Sequence, residues 1–506
     1  MKRVILILDL ALAVAAAQAQ TAVPAWVQRY NGPGNYSDVA AAIALDTNGS
    51  VFVTGYSYSG YTDYATIAYS NTGLGLWTNR YSGPGNFDYA SAIALDANGN
   101  VFVTGYAEGS VSYPYNRDYA TIAYSNAGMA LWTNRYNGPG NDDDQATAIA
   151  ADTNGSVFVT GWSSGGGANY DYATIKYSTA GVPLWTNRYN GPGNGIDRAA
   201  AIAVDSNGDV IVTGYSTGSG SGNDYATIKY SSAGMPLWTN RYSGPTIDDD
   251  QASALVVDTN RNVFVTGYSG PGAKQDLDYV TIAYSNAGVP LWTNRYSGPG
   301  NSIDSATAIA ADRGGNVLVT GGASNGTNTD CVTIAYSIAG VPLWTNRYNG
   351  PGNKDDKASA ITVDRRGNVF VTGYSYGTNN QPNYATVAYS NAGVPLWTNR
   401  YVGPGNNIDW ATAVAVDSNG NVFVTGQSWG SVGAFDFATI KYSIAQPIPV
   451  AIQWVDSELV LSWTNAAFGL QSAPASTGAF TNIPGATSPY TNPITGAQQY
   501  FRLISN

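Results

Sequence analysis

The segment Val-Phe-Val-Thr-Gly occurs at 51–55, 101–105, 157–161, 263–267, 369–373 and 422–426. The variants Val-Ile-Val-Thr-Gly at 210–214 and Val-Leu-Val-Thr-Gly at 317–321 complete a set of eight, stepping by 50 to 56 residues. A period of that length marks a supersecondary unit that cannot bury its apolar face alone, so its copies must stack. Each copy sits in the same frame, seen clearly in residues 409–443. An alternating run, Asp-x-Ala-x-Ala-Ile/Val, leads to an Asp-x-Asn-Gly-Asn turn. Val-Phe-Val-Thr-Gly follows, then a loop of variable length, then Asp-Tyr/Phe-Ala-Thr-Ile. A second glycine turn leads to Leu-Trp-Thr-Asn-Arg-Tyr. Period-2 alternation between Asn-Gly and Ala-Gly turns predicts four short antiparallel strands, A to D.

Four antiparallel strands every ~50 residues are the pattern of a β-propeller blade. The phase of the repeat predicts closure. The frame opens with a lone D strand, Trp26–Tyr30, and the eighth A-B-C set ends at Ser443 with no D strand after it. The opening strand is therefore expected to complete the last blade, which removes two exposed sheet edges. The expected fold is all-β: an eight-bladed β-propeller of four-stranded blades over residues 20–445, closed by its N-terminal strand.

The string Asp-x-Ala-x-Ala-Ile-Ala-Val-Asp-Ser-Asn-Gly-Asn-Val-Phe-Val-Thr-Gly, followed by Asp-Tyr-Ala-Thr-Ile-Lys-Tyr, resembles the bacterial seven-bladed-propeller-type (SBBP) repeat. The resemblance covers about residues 26–443 and departs from the family name in showing eight units. It implies an exported or surface protein and brings no common catalytic motif. After a 446–449 linker, residues 450–506 read as strands, and Leu-Val-Leu-Ser-Trp and Tyr-Phe-Arg-Leu are similar to small immunoglobulin- or fibronectin-like β-sandwich modules. A surface-sorting tag is the other reading of that piece. Residues 1–19 carry the marks of a signal peptide: Lys2 and Arg3, an apolar stretch to Ala17, and an Ala17-Gln18-Ala19 cleavage site. Secretion or cell-surface display is expected, with no membrane span, since no later stretch holds the ~20 apolar residues one needs.

Composition narrows the chemistry. Net charge is −11 without a basic stripe, which excludes nucleic acid as an expected partner. The absence of histidine excludes Ser-His-Asp and Cys-His arrangements and His-ligated metals. Cys331, the one cysteine, occupies the place of Tyr64 in its repeat and reads as a packing residue. A non-catalytic monomer is expected. Glycosidase or lyase chemistry remains the alternative, because carboxylates and tyrosines can serve it. A purely structural envelope role is the third reading.

Blade geometry puts the A–B and C–D turns on one face and the D–A and B–C loops on the other. The second face varies, and loops on a rigid scaffold carry specificity. Its aromatics predict a binding rim: Tyr56, Tyr58 and Tyr61 in blade one, Tyr113 and Tyr115 in blade two, Trp162 and Tyr170 in blade three, Trp429 and Phe435 in blade eight. Such rings stack on sugars or bury a peptide, so a carbohydrate or protein ligand is expected. The other reading has them cover neighbouring blades. No cofactor is expected. Asp142, Asp143, Asp248 and Asp249 are weak candidates for Ca²⁺, and Asp355 lies at the matching place in blade seven. Aspartates also begin nearly every strand C, one for each D-strand arginine, which predicts a cross-strand ion pair per blade.

Overall fold

The structure, a computed structural model, describes residues 22–109, 116–166, 169–220, 222–246, 249–270, 276–300 and 302–444. Beyond the ring it describes 451–455, 458–463, 468–473, 480–493 and 500–505. The expected signal peptide, Tyr113, Tyr115 and Asp248 lie outside the described residues. Among those described, no helix is long and apolar enough to cross a membrane.

Eight four-stranded antiparallel sheets follow one another. Blade one has strand A at Asp38–Leu45, B at Val51–Tyr58, C at Thr62–Tyr69 and D at Gly75–Tyr81. Blade eight takes A from Asp409–Val416, B from Val422–Trp429 and C from Phe435–Ile444, and its D strand is Ala22–Tyr30. That strand pairs antiparallel with Phe435–Ile444, from Ala22 opposite Ile444 to Tyr30 opposite Phe437. The offset read from the repeat phase is thus the closure of the ring. Each A strand touches the A strands of both neighbours, all the way round, so the A strands line the central channel.

The Val-x-Val and Ala-Thr-Ile strands B and C are almost wholly buried, because each blade packs both sheet faces on its neighbours. Strand D explains the conserved look of Leu-Trp-Thr-Asn-Arg-Tyr. Its tryptophan and asparagine clamp the C–D turn of the next blade. Trp132 donates its indole N–H to the Thr179 carbonyl (3.0 Å), and Asn134 donates to the Gly181 carbonyl (2.7 Å). The turn glycine lies against the indole ring: a Cβ on Gly181, at φ +78°, would stand 2.6 Å from Trp132 Cγ. Blade eight has no C–D turn, and there Asn399 donates to Ala22 of the closing strand instead (2.9 Å).

Residues to Ile444 form one compact unit and Ala445–Asn506 a second. The second unit has two three-stranded sheets. The strands Ala451–Val455, Glu458–Ser462 and Tyr490–Pro493 make one, and Thr481–Asn482, Phe468–Ala473 and Tyr500–Ser505 the other. Leu461, Trp463 and Leu470 form its small core.

Candidate functional site

The D–A turns and B–C loops share the upper face, and two aspartate sets hold it rigid. The aspartates opening strand A, Asp38 through Asp409, are 0% exposed in all eight blades. In each, one carboxylate oxygen accepts the amide of the first glycine in the D–A turn, as in Gly191 to Asp197 (2.7 Å). In six blades the other oxygen accepts the amide of the last residue of strand B, as in Thr217 to Asp197 (3.0 Å). These carboxylates therefore tie the D–A turn to the upper end of strand B, from which the B–C loop leaves. Burial raises the proton affinity of all eight against the pull of those amides, to about 6 for Asp88.

The strand-C aspartates pair with the D-strand arginines in seven blades, at 2.6–2.9 Å. The pairs are diagonal: Arg188 lies opposite Ala173, two residues from Asp171. In blade seven Asn383 takes the aspartate's place, and Arg400 bonds Ser375 and Tyr348.

The predicted aromatic residues fall into two groups. Trp162 is only 7% exposed. Tyr170 meets it edge-on (4.6 Å between centroids), and the Arg198 guanidinium from blade four lies over both rings, at 4.6 and 5.5 Å. Trp429 and Phe435 pack perpendicular to one another at 4.8 Å, both half-buried. These four rings cover blade tops. Tyr58 and Tyr61 behave differently. Tyr61 is 54% exposed, and the half-buried Tyr58 ring meets Tyr36, itself 58% exposed, at 5.2 Å. Phe87, 40% exposed, bridges to Thr62 beside Tyr61. Tyr36, Tyr58, Tyr61 and Phe87 thus gather over blade one. Tyr56, within strand B, packs against Tyr89 on strand A of the next blade (4.7 Å), which packs in turn on Tyr106 (5.1 Å).

Tyr36 and Phe87 escaped the sequence reading, although the signal was there. They fill the position after Gly-Pro-Gly-Asn, which holds Asp, Gly, Ser, Lys or Asn in the other complete copies of that turn. The acids at the same turn have main-chain partners. Asp143 accepts the Arg117 amide (3.2 Å), Asp249 the Asn223 amide (2.9 Å) and Asp355 the Thr329 amide (2.9 Å). Each carboxylate latches its turn to strand C of the preceding blade. Asp142 caps its own neighbour, accepting from the Asp143 amide (2.9 Å). Among the described residues no group of three or more acidic or sulfur ligands gathers as a metal site.

With this geometry in place, the chain is defined as an eight-bladed β-propeller. The SBBP beta-propeller repeat matches at four places, residues 76–110, 131–168, 343–379 and 396–433, each running from a D strand to the following B–C loop. The SBBP repeat thus recurs within a ring of eight blades. No curated protein matches the sequence. Among solved structures, Sqt1 from Chaetomium thermophilum is similar at 9% identity and TM-score 0.50, covering 84% of this chain and 100% of its own. The periplasmic gluconolactonase PpgL of Pseudomonas aeruginosa is similar at 12% identity and TM-score 0.42, covering 72% and 95%. The WD40 domain of Toxoplasma gondii coronin follows at 9% identity and TM-score 0.42, covering 85% and 90%. These likenesses concern the fold.

Proposed function

We propose that this protein is a non-catalytic, exported or cell-surface propeller that binds a carbohydrate on its upper face. The observation that carries the reading is the cluster of Tyr36, Tyr58, Tyr61 and Phe87 over blade one. Three of these rings are well exposed while Trp162, Tyr170, Trp429 and Phe435 are packed. An exposed ring on a rigid turn offers a flat apolar face to a sugar ring at small entropic cost. The flanking amide side chains of Asn31, Asn35 and Asn86 supply the donors and acceptors that sugar hydroxyls need. That mixture favours a sugar over a protein segment, which would want a larger continuous apolar patch.

The test is a glycan-array screen of the full chain beside a Tyr36→Ala/Tyr61→Ala/Phe87→Ala variant. Hits on the parent protein should weaken at least about tenfold, since each lost stacking contact is worth about 1 kcal/mol. Unchanged hits would remove the site. Release of sugar from the bound glycan, abolished by one aspartate substitution, would replace binding by catalysis.

A further inference from the structure

The lower face repeats one short A–B turn eight times, yet the turns are not equivalent in charge. Most cations of this acidic chain have structural partners. The D-strand arginines bond within and between blades. Lys176, Lys229 and Lys441 reach from strand C to the next blade's C–D turn. Arg117 pairs with Asp143, and Arg198 lies over Trp162. Arg261, Arg313, Arg365 and Arg366 are different. They sit in the A–B turns of blades five, six and seven, and their guanidinium groups have no polar partner among the described residues. Arg313, Arg365 and Arg366 are exposed.

The turn aspartates form no ion pair with them among the described residues, because their oxygens are taken up by the turn itself. Asp364 accepts the amides of Arg366 and Asn368 (both 2.8 Å) on one oxygen and the Asn368 side chain (2.8 Å) on the other. Arg365 also reaches a cleft of about 250 Å³ at the channel mouth, which it lines with Asp46–Gly49 and Val416–Asn419 of blades one and eight. A second, independent observation concerns Arg261. Its φ is +64°, the left-handed region, at a turn position that is glycine in the other seven blades. An arginine held at a strained position where glycine serves elsewhere points to a role for its side chain.

We infer that Arg261, Arg313, Arg365 and Arg366 form an anion-binding arc at the lower mouth of the channel, and that its occupant is an acidic polysaccharide. Neighbouring sheets pack about 10 Å apart, so cations on consecutive blades form a row rather than a single pocket. A row engages a polymer with a carboxylate on each repeat unit better than one small anion. The guanidinium fork fits a carboxylate with two parallel hydrogen bonds. Asn48, Asn207, Asn260 and Asn419, at the tips of neighbouring turns, add amide groups suited to sugar hydroxyls. A phosphodiester chain fits less well. The turn tips hold no aromatic ring on which bases would stack.

The experiment is affinity electrophoresis of the full chain through polygalacturonate, through dextran as the uncharged control, and against single-stranded DNA of matched length. The parent protein should be retarded by polygalacturonate at low salt, less so at physiological salt, and not by dextran. An Arg313→Gln/Arg365→Gln/Arg366→Gln variant should lose at least about tenfold in affinity with an unchanged melting temperature. Arg261→Gly should bind more weakly yet melt higher, a split that a purely structural arginine would not produce. No retardation of the parent protein, or equal retardation of both variants, would overturn the assignment. Tighter binding of DNA than of polygalacturonate would overturn the choice of occupant.

Discussion

Gly234 and Gly433 separate the two costs of adding a side chain to a propeller turn. Their φ angles, +84° and +86°, are nearly equal, so alanine meets the same left-handed strain at both, about 1 kcal/mol. Their surroundings differ. A Cβ on Gly433 meets nothing within 4 Å, whereas one on Gly234 stands 2.8 Å from Trp185 Cγ and 2.9 Å from Cδ2. Trp185 cannot retreat freely. Its indole N–H donates to the Ser232 carbonyl (3.2 Å), Asn187 donates to the Gly234 carbonyl (2.7 Å), and Tyr230 packs at 6.1 Å. Overpacking costs about 1–3 kcal/mol and a weakened hydrogen bond about 1 more. Gly234→Ala should therefore destabilise by about 3–5 kcal/mol and Gly433→Ala by about 1 kcal/mol. Urea denaturation followed by tryptophan fluorescence measures both. Equal losses would refute the claim that the tryptophan clamp joins one blade to the next.

Two further outcomes follow from the carboxylates. The buried strand-A aspartates bind protons more tightly in the folded chain than in the unfolded one. Their contribution is therefore fully present below the unfolded value near 4 and is lost as pH rises through the folded value, about 6 for Asp88. Asp88 alone is worth about 3 kcal/mol by this linkage, so urea midpoints should rise as pH falls from 7 to 5; a steady fall over that interval would contradict the burial argument. Asn383→Asp should give Arg400 the acidic partner its seven counterparts have and stabilise the ring by up to about 1 kcal/mol; a lower melting temperature would show that blade seven is tuned to the amide.

The ring was legible because eight copies of one frame make both its strands and its phase visible, and because Trp26–Tyr30 stands alone before the first strand A. The Asp–Arg pairs were legible from their one-to-one count. The contacts between blades were not. Trp132 and Gly181 are 49 residues apart and belong to different repeats, so nothing local marks them as partners. Arg198 was hidden from Trp162 in the same way, 36 residues away, and Trp162 read as an exposed platform until that neighbouring blade covered it. The strand-A aspartates tie the D–A turn to the end of strand B, a link that no local motif marks. The upper-face rings were half legible: Tyr58 and Tyr61 were found, while Tyr36 and Phe87 were overlooked because their turns looked invariant. In an array this regular, single departures from the repeat carry more functional information than the residues that recur.

Every assignment of upper and lower face rests on a ring closed by Ala22–Tyr30. Deleting residues 1–30 and then adding a synthetic peptide of residues 22–30 tests that closure directly. The shortened chain loses Trp26, which donates to Asn71 (3.0 Å), and Arg29, which pairs with Asp436 (2.6 Å), and leaves Phe435–Ile444 as a bare edge. It should unfold at markedly lower temperature, and the peptide should restore the transition in a saturable manner. A shortened chain that melts like the parent, with no effect of the peptide, would contradict the closed ring.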